Sequence, residues 1–309
     1  MLLALIAGHW LVPSSRDPQR AALDFIGAGL SIVGMGALLY GIIEAPTYGW
    51  TDPRPLAALG ASLVFLIGFA IWELRIDNPM LDLGFFRDPR FSAASLAMSF
   101  VFFAMFGTFF LLTQFLQVVR GYSPLEAGLR TLPMALTMMI GSPLSARLTE
   151  RHGARRVVSP ALVIVAVGLI LMSLIDEGTA YVWLAAVLVI LAGGMSATMA
   201  PATGSIMSSL PLRKAGVGSA WNDTTRELGG ALGVAVLGSV AASQYVSSLR
   251  GSISRLPGNV TRAAEASVGG AMQVSDTLPG APAQTSPMRQ AQRSWMLWAW
   301  PTSSPRRSQ

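Results

Sequence analysis

Residues 92–118 read SAASLAMSFVFFAMFGTFFLLTQFLQV, and this stretch decides the fold class. It carries no charged side chain and lies between Arg90 and Arg120. Because a helix needs roughly 20 apolar residues to cross the hydrocarbon core of a bilayer, the stretch is long enough to span it. It lacks the strict alternation of apolar and polar residues that is typical of a membrane β-strand. The sequence therefore predicts a membrane-spanning helix.

Comparable apolar runs recur along the chain, separated by short polar loops. Hydrophobic residues make up 52% of the chain and charged residues only 12%, and the mean hydropathy is +0.52. Soluble domains carry roughly 25% charged residues, so a soluble fold is disfavoured. We predict an all-α integral membrane protein with about seven transmembrane helices. The predicted spans are 23–43, 56–72, 92–118, 127–146, 157–175, 181–209 and 216–242.

Positive side chains concentrate in alternate loops. Eleven of them lie there: Arg16, Arg20, Arg75, Arg87, Arg90, Arg147, Arg151, Arg155, Arg156, Arg213 and Lys214. The intervening loops carry only Arg54 and Arg120. Because positive charge is retained on the cytoplasmic side, the first full span is predicted to run from inside to outside. The net charge of +6 then reflects topology, since the arginines do not form a basic face interleaved with aromatic residues, as nucleic-acid binding requires.

The residue types in the chain do not indicate a metal site, a cofactor site or an enzyme active site. The chain has no cysteine, and His9 and His152 stand alone in sequence. A metal site needs several such ligands at suitable spacing. The predicted spans contain no constellation of nucleophile, base and orienting group. We therefore expect no bound metal, no cofactor and no enzymatic activity.

Both ends of the chain have unusual character. Residues 1–12 form an apolar run that is too short to span and lacks the basic start of a signal peptide. We interpret them as the end of a helix whose beginning is missing. Residues 244–309 contain no apolar run long enough to cross the membrane again, and after Gly280 they become rich in Pro, Ser, Gln and Arg. This tail is expected to be disordered, and a shifted reading frame is one interpretation of it.

Several motifs occur in one order along the chain. Residues 201–240, PATGSIMSSLPLRKAGVGSAWNDTTRELGGALGVAVLGSV, have the sharpest identity. The others are Asp24 with Gly27, Gly49-Trp50, NPMLDL at 78–83 followed by FFR at 85–87, QFLQ at 114–117, GYSP at 121–124, Ala127-Gly128, and LTERHGARR at 148–156. Together they resemble the 14-span drug:proton antiporter branch of the major facilitator superfamily, over roughly residues 1–280.

The resemblance implies a partial major-facilitator bundle, in which the seven helices correspond to spans seven to thirteen of fourteen. The implied divisions are 1–20, a remnant of a preceding helix with a cytoplasmic loop; 21–76, two central linker helices; 77–90, a cytoplasmic linker; 91–243, five helices of the second bundle; and 244–309, an outer segment and tail. The first helical bundle of such a transporter would then be a missing partner of this chain. Members of this superfamily bind substrate between two halves, so the chain is expected to be inactive alone.

The resemblance also gives a role to the loop at 148–156, which is similar to the second-half copy of the superfamily's cytoplasmic motif. Glu150 stands where Asp is usual, and Ala146 where Gly is usual. The residues implied in a charge network that locks conformations are Arg147, Glu150, Arg151, Gly153, Arg155 and Arg156. Simple retention of positive charge inside explains the arginines equally well, but it leaves Glu150 and the turn at Gly153 unexplained.

Asp223, Arg226 and Glu227 share one helical face, because they are three and four residues apart. Ionisable groups within a span are costly unless they face a partner or water, which favours a role in proton or substrate coupling. A structural role, in which Arg226 neutralises the two carboxylates near the cytoplasmic interface, stays open.

The third span supplies candidate pocket residues. Phe106 and Phe110 lie on one face and can bind an apolar cation through their rings. Gln114 and Gln117 lie one to two turns further on, and buried amides need hydrogen-bond partners. Packing in the core or against lipid is the alternative for the rings. In the last span, Gly229 and Gly233 have the spacing that lets helices approach closely, so we expect a packing role.

The sequence thus predicts a proton-coupled efflux transporter for drugs or other small amphipathic molecules, with lipid, protons and a small-molecule substrate as its partners. The alternative is a membrane remnant or partner protein that does not transport. With 21 arginines and one lysine, a bacterium with a GC-rich genome is the expected host, which would place the protein in the plasma membrane. The substrate itself is not specified by these patterns.

Overall fold

The computed structural model describes residues 24–76, 79, 83–176, 178–211 and 215–253, with side chains described as far as residue 243. Throughout these ranges the regular structure is helical, and no strand occurs in them. The expectations for residues 1–20, for most of the 77–82 linker and for the tail after residue 253 lie outside the described residues. The prediction of an all-α membrane protein is confirmed.

Eight α-helices follow one another in the described part of the chain. They are α1 (Phe25–Tyr48), α2 (Pro53–Glu73), α3 (Pro89–Gln114), α4 (Pro124–Arg130), α5 (Leu132–His152), α6 (Ala154–Met172), α7 (Tyr181–Ser208) and α8 (Ala215–Ile253). A 3₁₀ turn at Leu83–Arg87 precedes α3, and a π turn at Phe115–Val119 continues it.

The starts of three helices follow from local chemistry. Asp24, Asp52 and Asp88 are the N-cap residues of α1, α2 and α3, and each carboxylate accepts a hydrogen bond from a backbone N–H of the first turn. A proline occupies the first position of α2 and of α3, where its missing N–H costs nothing. Two helix ends are set by glycines with positive φ, Gly49 at 101° after α1 and Gly153 at 82° after α5.

Five helices are long and apolar enough to cross a membrane: Phe25–Tyr48, Pro53–Glu73, Pro89–Val119, Ala154–Met172 and Tyr181–Ser208. Two further long helices, α5 and α8, complete the seven that the sequence predicts. Both contain charged residues within their length, such as Glu150 in α5 and Arg226 in α8. The predicted span 127–146 differs in detail, because the chain forms the short α4 and then breaks at Thr131, before Pro133 in the first turn of α5.

The helices pack in pairs, and two apolar clusters form around α3 and α7. The closest pairs are α1 with α2, α3 with α8, α5 with α7, and α6 with α7, and α1 also contacts α8. One cluster joins α3, α6 and α7 and includes Val101, Leu188 and Met195. The other joins the first half of α3 to the second half of α7 through Phe91 and Ile206. α3 therefore contributes to both cores, while its remaining face is turned toward α8.

Candidate functional site

The candidate site is a cavity of about 340 Å³ beside the second half of α3. The residues that line it are Phe106, Phe109, Phe110, Thr113, Gln114, Gln117, Val118 and Val234. All come from α3 and its π turn except Val234, which lies in α8. The structure thus places the four pocket candidates from the sequence around one cavity and adds Phe109, Thr113, Val118 and Val234.

The lining combines partly exposed aromatic rings with side-chain amides that have no hydrogen-bond partner among the described residues. Phe106 and Phe109 are 46% and 47% exposed. Within the described residues, neither the Gln114 nor the Gln117 side chain makes a hydrogen bond, whereas the Thr113 hydroxyl donates to the Phe109 carbonyl at 2.8 Å. Aromatic faces attract organic cations, and amides both donate and accept hydrogen bonds. The cavity can therefore hold a small molecule with an apolar body and a polar or cationic group.

A π turn shapes the outer end of the cavity. The Arg120 N–H donates to the Phe115 carbonyl at 3.0 Å, five residues back, instead of four as in an α-helix. Gln114 precedes this turn, and Gln117 lies within it. Single π turns are rare and are often found at functional sites. The sequence did not predict it, since its residues, FLQVV, also suit an ordinary helix.

Arg120 fixes the chain beyond the π turn to the loop between α6 and α7. Its guanidinium donates to the carbonyls of Asp176 and Thr179. The same group lies 5.4 Å from the centre of the Phe115 ring. The end of α3 is therefore held to the neighbouring α6–α7 hairpin, and this contact limits movement of the turn that carries Gln117.

The charged group of α8 consists of Asp223, Arg226 and Glu227. It lies at the opposite end of the face formed by α3 and α8 from the π turn. Arg226 approaches Asp223 at 3.6 Å, and their side chains are 42% and 66% exposed. The Arg226 guanidinium also lies 4.8 Å from the centre of the Phe102 ring, which stacks on Phe106 at 6.0 Å. Glu227 is exposed and makes no ion pair with a described residue. Phe102 itself is buried, so it connects the charged group to the cavity wall without lining the cavity.

Buried polar contacts anchor this part of α8. The Trp221 indole donates to the Ser95 hydroxyl at 2.9 Å, and the Thr203 hydroxyl donates to the Asn222 side-chain oxygen at 3.1 Å. Asn222 and Thr225 are 6% and 3% exposed. These residues were missed in the sequence, although polar side chains inside an apolar helix are themselves a signal. They fix α8 to α3 and α7 directly beside Asp223.

Two glycines of α8 lie where it crosses α3. A β-carbon built on Gly229 would be 3.0 Å from Cα of Ser99, and one on Gly233 would be 2.9 Å from Cα of Phe103. From the opposite side, a β-carbon on Gly107 would be 2.9 Å from the Gly233 carbonyl oxygen. The backbones of the two helices therefore approach so closely that no side chain fits between them.

The residues of the loop motif lie apart from the cavity, at the junction of α5 and α6. The side chains of Arg147, Glu150, Arg151, Arg155 and Arg156 are exposed. No ion pair joins Glu150 to one of these arginines within the described part of the chain. Gly153 makes the turn with its positive φ. The structure brings the motif together on one surface without a formed charge network.

The helices are long and have apolar outer surfaces, and one face combines a cavity with ionisable groups. These features define the class of protein, a polytopic α-helical membrane protein. The chain belongs to the major facilitator superfamily, since the model of that family matches residues 1–234. This superfamily consists of membrane transporters and is not a class of enzymes. Multi-pass insertion in a membrane follows for this chain, together with contact to lipid.

Named relatives are bacterial resistance and export proteins. The chain is 36% identical to the multidrug resistance protein Stp of Mycobacterium tuberculosis, over 79% of its own length and 45% of that protein. It is 32% identical to the multidrug efflux pump LfrA of Mycolicibacterium smegmatis, over 92% of its own length and 56% of that protein. The tetracenomycin C resistance and export protein of Streptomyces glaucescens is also 32% identical, with 79% and 45% covered. The chain spans about half the length of these relatives.

Proposed function

We propose that the described helices form one wall of the pathway of a proton-coupled exporter for small amphipathic molecules. The observation that carries this proposal is the cavity beside α3, where three phenylalanine rings and two amides without partners among the described residues face the same space. A bulky organic cation would place its apolar body on the rings of Phe106, Phe109 and Phe110. Gln114 and Gln117 would bind its polar groups.

The relatives support the choice of substrate class. Stp and LfrA are named for multidrug resistance and multidrug efflux. An adaptable aromatic cavity with few fixed polar partners suits a range of amphipathic compounds better than one defined metabolite. The bacterial origin of these relatives supports a location in the bacterial plasma membrane.

A second bundle of helices is needed for this transport. Secondary transporters bind their substrate between two halves and alternate access by rocking one half against the other. In the described helices the cavity is bounded by α3, its π turn and α8. We propose that an opposing bundle closes it and that the chain does not transport without that bundle.

Proton coupling is assigned to Asp223, with Arg226 and Glu227 as its charged neighbours. Protonation of Asp223 would remove the charge that holds Arg226 at 3.6 Å. Arg226 would then be free to leave the ring of Phe102, which stacks on the cavity residue Phe106. A proton at Asp223 would thus change the packing of the cavity wall, which is the link that an antiporter requires.

Ethidium transport into everted membrane vesicles tests this proposal. The chain is produced alone and together with the first half of Stp, and an imposed pH gradient drives uptake. We expect uptake only when both halves are present. We expect Asp223→Asn to lower the pH-driven rate at least tenfold, whereas ethidium still binds. Asp52→Asn is the matched control, because asparagine can replace aspartate as the N-cap of α2.

Three results would contradict the proposal. Equal uptake by the chain alone would remove the need for an opposing bundle. Unchanged pH dependence in Asp223→Asn would exclude that residue from coupling and favour the purely structural role of Arg226. Absence of uptake when both halves are present and folded in the vesicles would reject the transporter assignment for this pair.

A further inference from the structure

A second cavity, of about 420 Å³, lies between α1 and α2. It is lined by Leu30, Gly68, Ile71, Trp72, Arg75 and Ile76. Most of this lining is apolar, and Arg75 supplies its charged group. By the distribution of positive loops, Arg75 lies at the cytoplasmic surface. The cavity is therefore a groove that runs from the apolar part of the helix pair to its inner end.

Gly68 makes room for this groove. A β-carbon on Gly68 would meet only the Leu30 side chain within 4 Å, at 3.8 Å. By contrast, β-carbons on Gly34 and Gly41 would each come within 2.8 Å of a leucine of α2. Gly34 and Gly41 thus allow the two helices to pack, whereas Gly68 leaves open space beside Leu30. This open space between apolar side chains can accommodate a flexible apolar chain.

The polar end of the groove has a fixed wall and an exposed positive charge. The Trp72 indole N–H donates to both carboxylate oxygens of Asp24 at 3.0 Å, which holds the ring at the inner end of the pair. Glu73 is 3% exposed, so its carboxylate is turned away from the groove. The Arg75 side chain is exposed and makes no hydrogen bond or ion pair within the described residues. One positive charge is therefore presented at the depth of the lipid headgroups.

We propose that this groove binds an anionic glycerophospholipid of the inner leaflet. One acyl chain would lie along Leu30, Gly68 and Ile71. The phosphate would meet Arg75, and the Trp72 ring would lie at the interface between headgroup and acyl chain. Basic pockets between helices on the cytoplasmic side select anionic lipids, and tryptophan prefers this interfacial depth. Arg75 is the one charged side chain among the described lining residues, which favours an anionic lipid over a zwitterionic lipid or an apolar protein segment.

Native mass spectrometry of the protein, extracted from mixed vesicles of phosphatidylglycerol and phosphatidylcholine, tests the proposal. We expect the wild-type chain to retain phosphatidylglycerol in preference to phosphatidylcholine. Arg75→Gln should lower that preference about fivefold, which corresponds to about 1 kcal/mol for one basic side chain at the surface. Arg75→Lys, which keeps the charge, should retain most of it. Gly68→Leu should lower retention of both lipids, because the new side chain fills the groove.

Matched variants separate this site from general effects. Arg90→Gln removes another exposed arginine of the cytoplasmic side, and Gly60→Leu adds the same side chain to α2 at a glycine with open space around it. Both should retain lipid as the wild type does. Equal lipid preference in Arg75→Gln and the wild type would overturn the proposal. So would an equal loss in Arg90→Gln, or a wild-type chain that retains no phosphatidylglycerol.

Discussion

At the scale of single residues, the close crossing of α3 and α8 depends on glycines, which have no side chain. The spacing of Gly229 and Gly233 predicted a close helix contact from sequence alone. The partner was not predictable, because the pattern gives the face of one helix and does not name the helix that packs on it. Gly107 shows this limit: its sequence context is an aromatic run, and only the fold places it against the Gly233 carbonyl.

Gly233→Ala is expected to destabilise the protein by about 1–3 kcal/mol, because the methyl group would meet the backbone of Phe103, which cannot move aside cheaply. Alanine otherwise favours a helix over glycine by about 1 kcal/mol, so the intrinsic preference acts in the opposite direction. Unfolding in a detergent-denaturant titration measures the difference. Gly193→Ala in α7 is the control, since nothing lies within 4 Å of its added carbon. A Gly233→Ala protein as stable as this control would contradict the packing account.

In the charged group of α8, too, one contact could be predicted from the sequence and another could not. The spacing of Asp223 and Arg226 correctly indicates that they can meet on one face, and they do so at 3.6 Å. The second partner of Arg226, the ring of Phe102, lies more than a hundred positions earlier in the chain. Such a contact depends on how α3 and α8 pack, so no local pattern reveals it.

At the scale of elements, helix starts and ends have local signals, but the predicted spans 23–43 and 56–72 did not use them, since α1 ends at Tyr48 and α2 begins at Pro53. Aspartates followed by prolines mark the starts of α2 and α3, and Gly49 and Gly153 mark two ends, because cap chemistry is local. The π turn after Gln114 was not predictable, since its residues, FLQVV, also suit an ordinary helix. The span 127–146 failed in detail because apolar content alone does not show the break at Thr131.

The capping box of α4 predicts a pH effect. Hydrogen bonds from the backbone N–H and the hydroxyl of Ser123, together with the charge of Arg130, hold the pKa of Glu126 below its usual value of about 4.5. A carboxyl whose pKa is lower in the folded state stabilises the fold above its unfolded pKa. The stabilisation is then lost as the pH falls from 4.5 through the lower folded value.

Hydrogen exchange of the α4 amides, normalised to intrinsic rates, checks this effect. Protection in the wild type should be lower at pH 3 than at pH 6. In Glu126→Gln the amide can keep the capping hydrogen bond to Ser123 but cannot titrate, so protection should change little between these pH values. The same loss of protection in both proteins would show that Glu126 is not its source.

At the scale of the whole molecule, the number and character of the helices could be predicted, but their arrangement could not. Charge-free runs near 20 residues mark spans, because a bilayer imposes that length. Lipid is as apolar as a helix surface, so hydrophobicity does not select which helices pair. The pairing of α3 with α8 brings the ion pair of α8 to the face of α3 that carries the aromatic run and the two amides. The cavity results from that pairing.

The central claim is that the face formed by α3 and α8 binds amphipathic cations, and photolabelling tests it most directly. Azido-ethidium is irradiated with the protein in vesicles, and the labelled peptides are mapped. We predict labelling within 102–118 and 227–238, competition by unlabelled ethidium, and a reduction of at least fivefold in the double variant Gln114→Leu and Gln117→Leu. Labelling concentrated on α5 and α6, or labelling that unlabelled ethidium does not displace, would contradict the account.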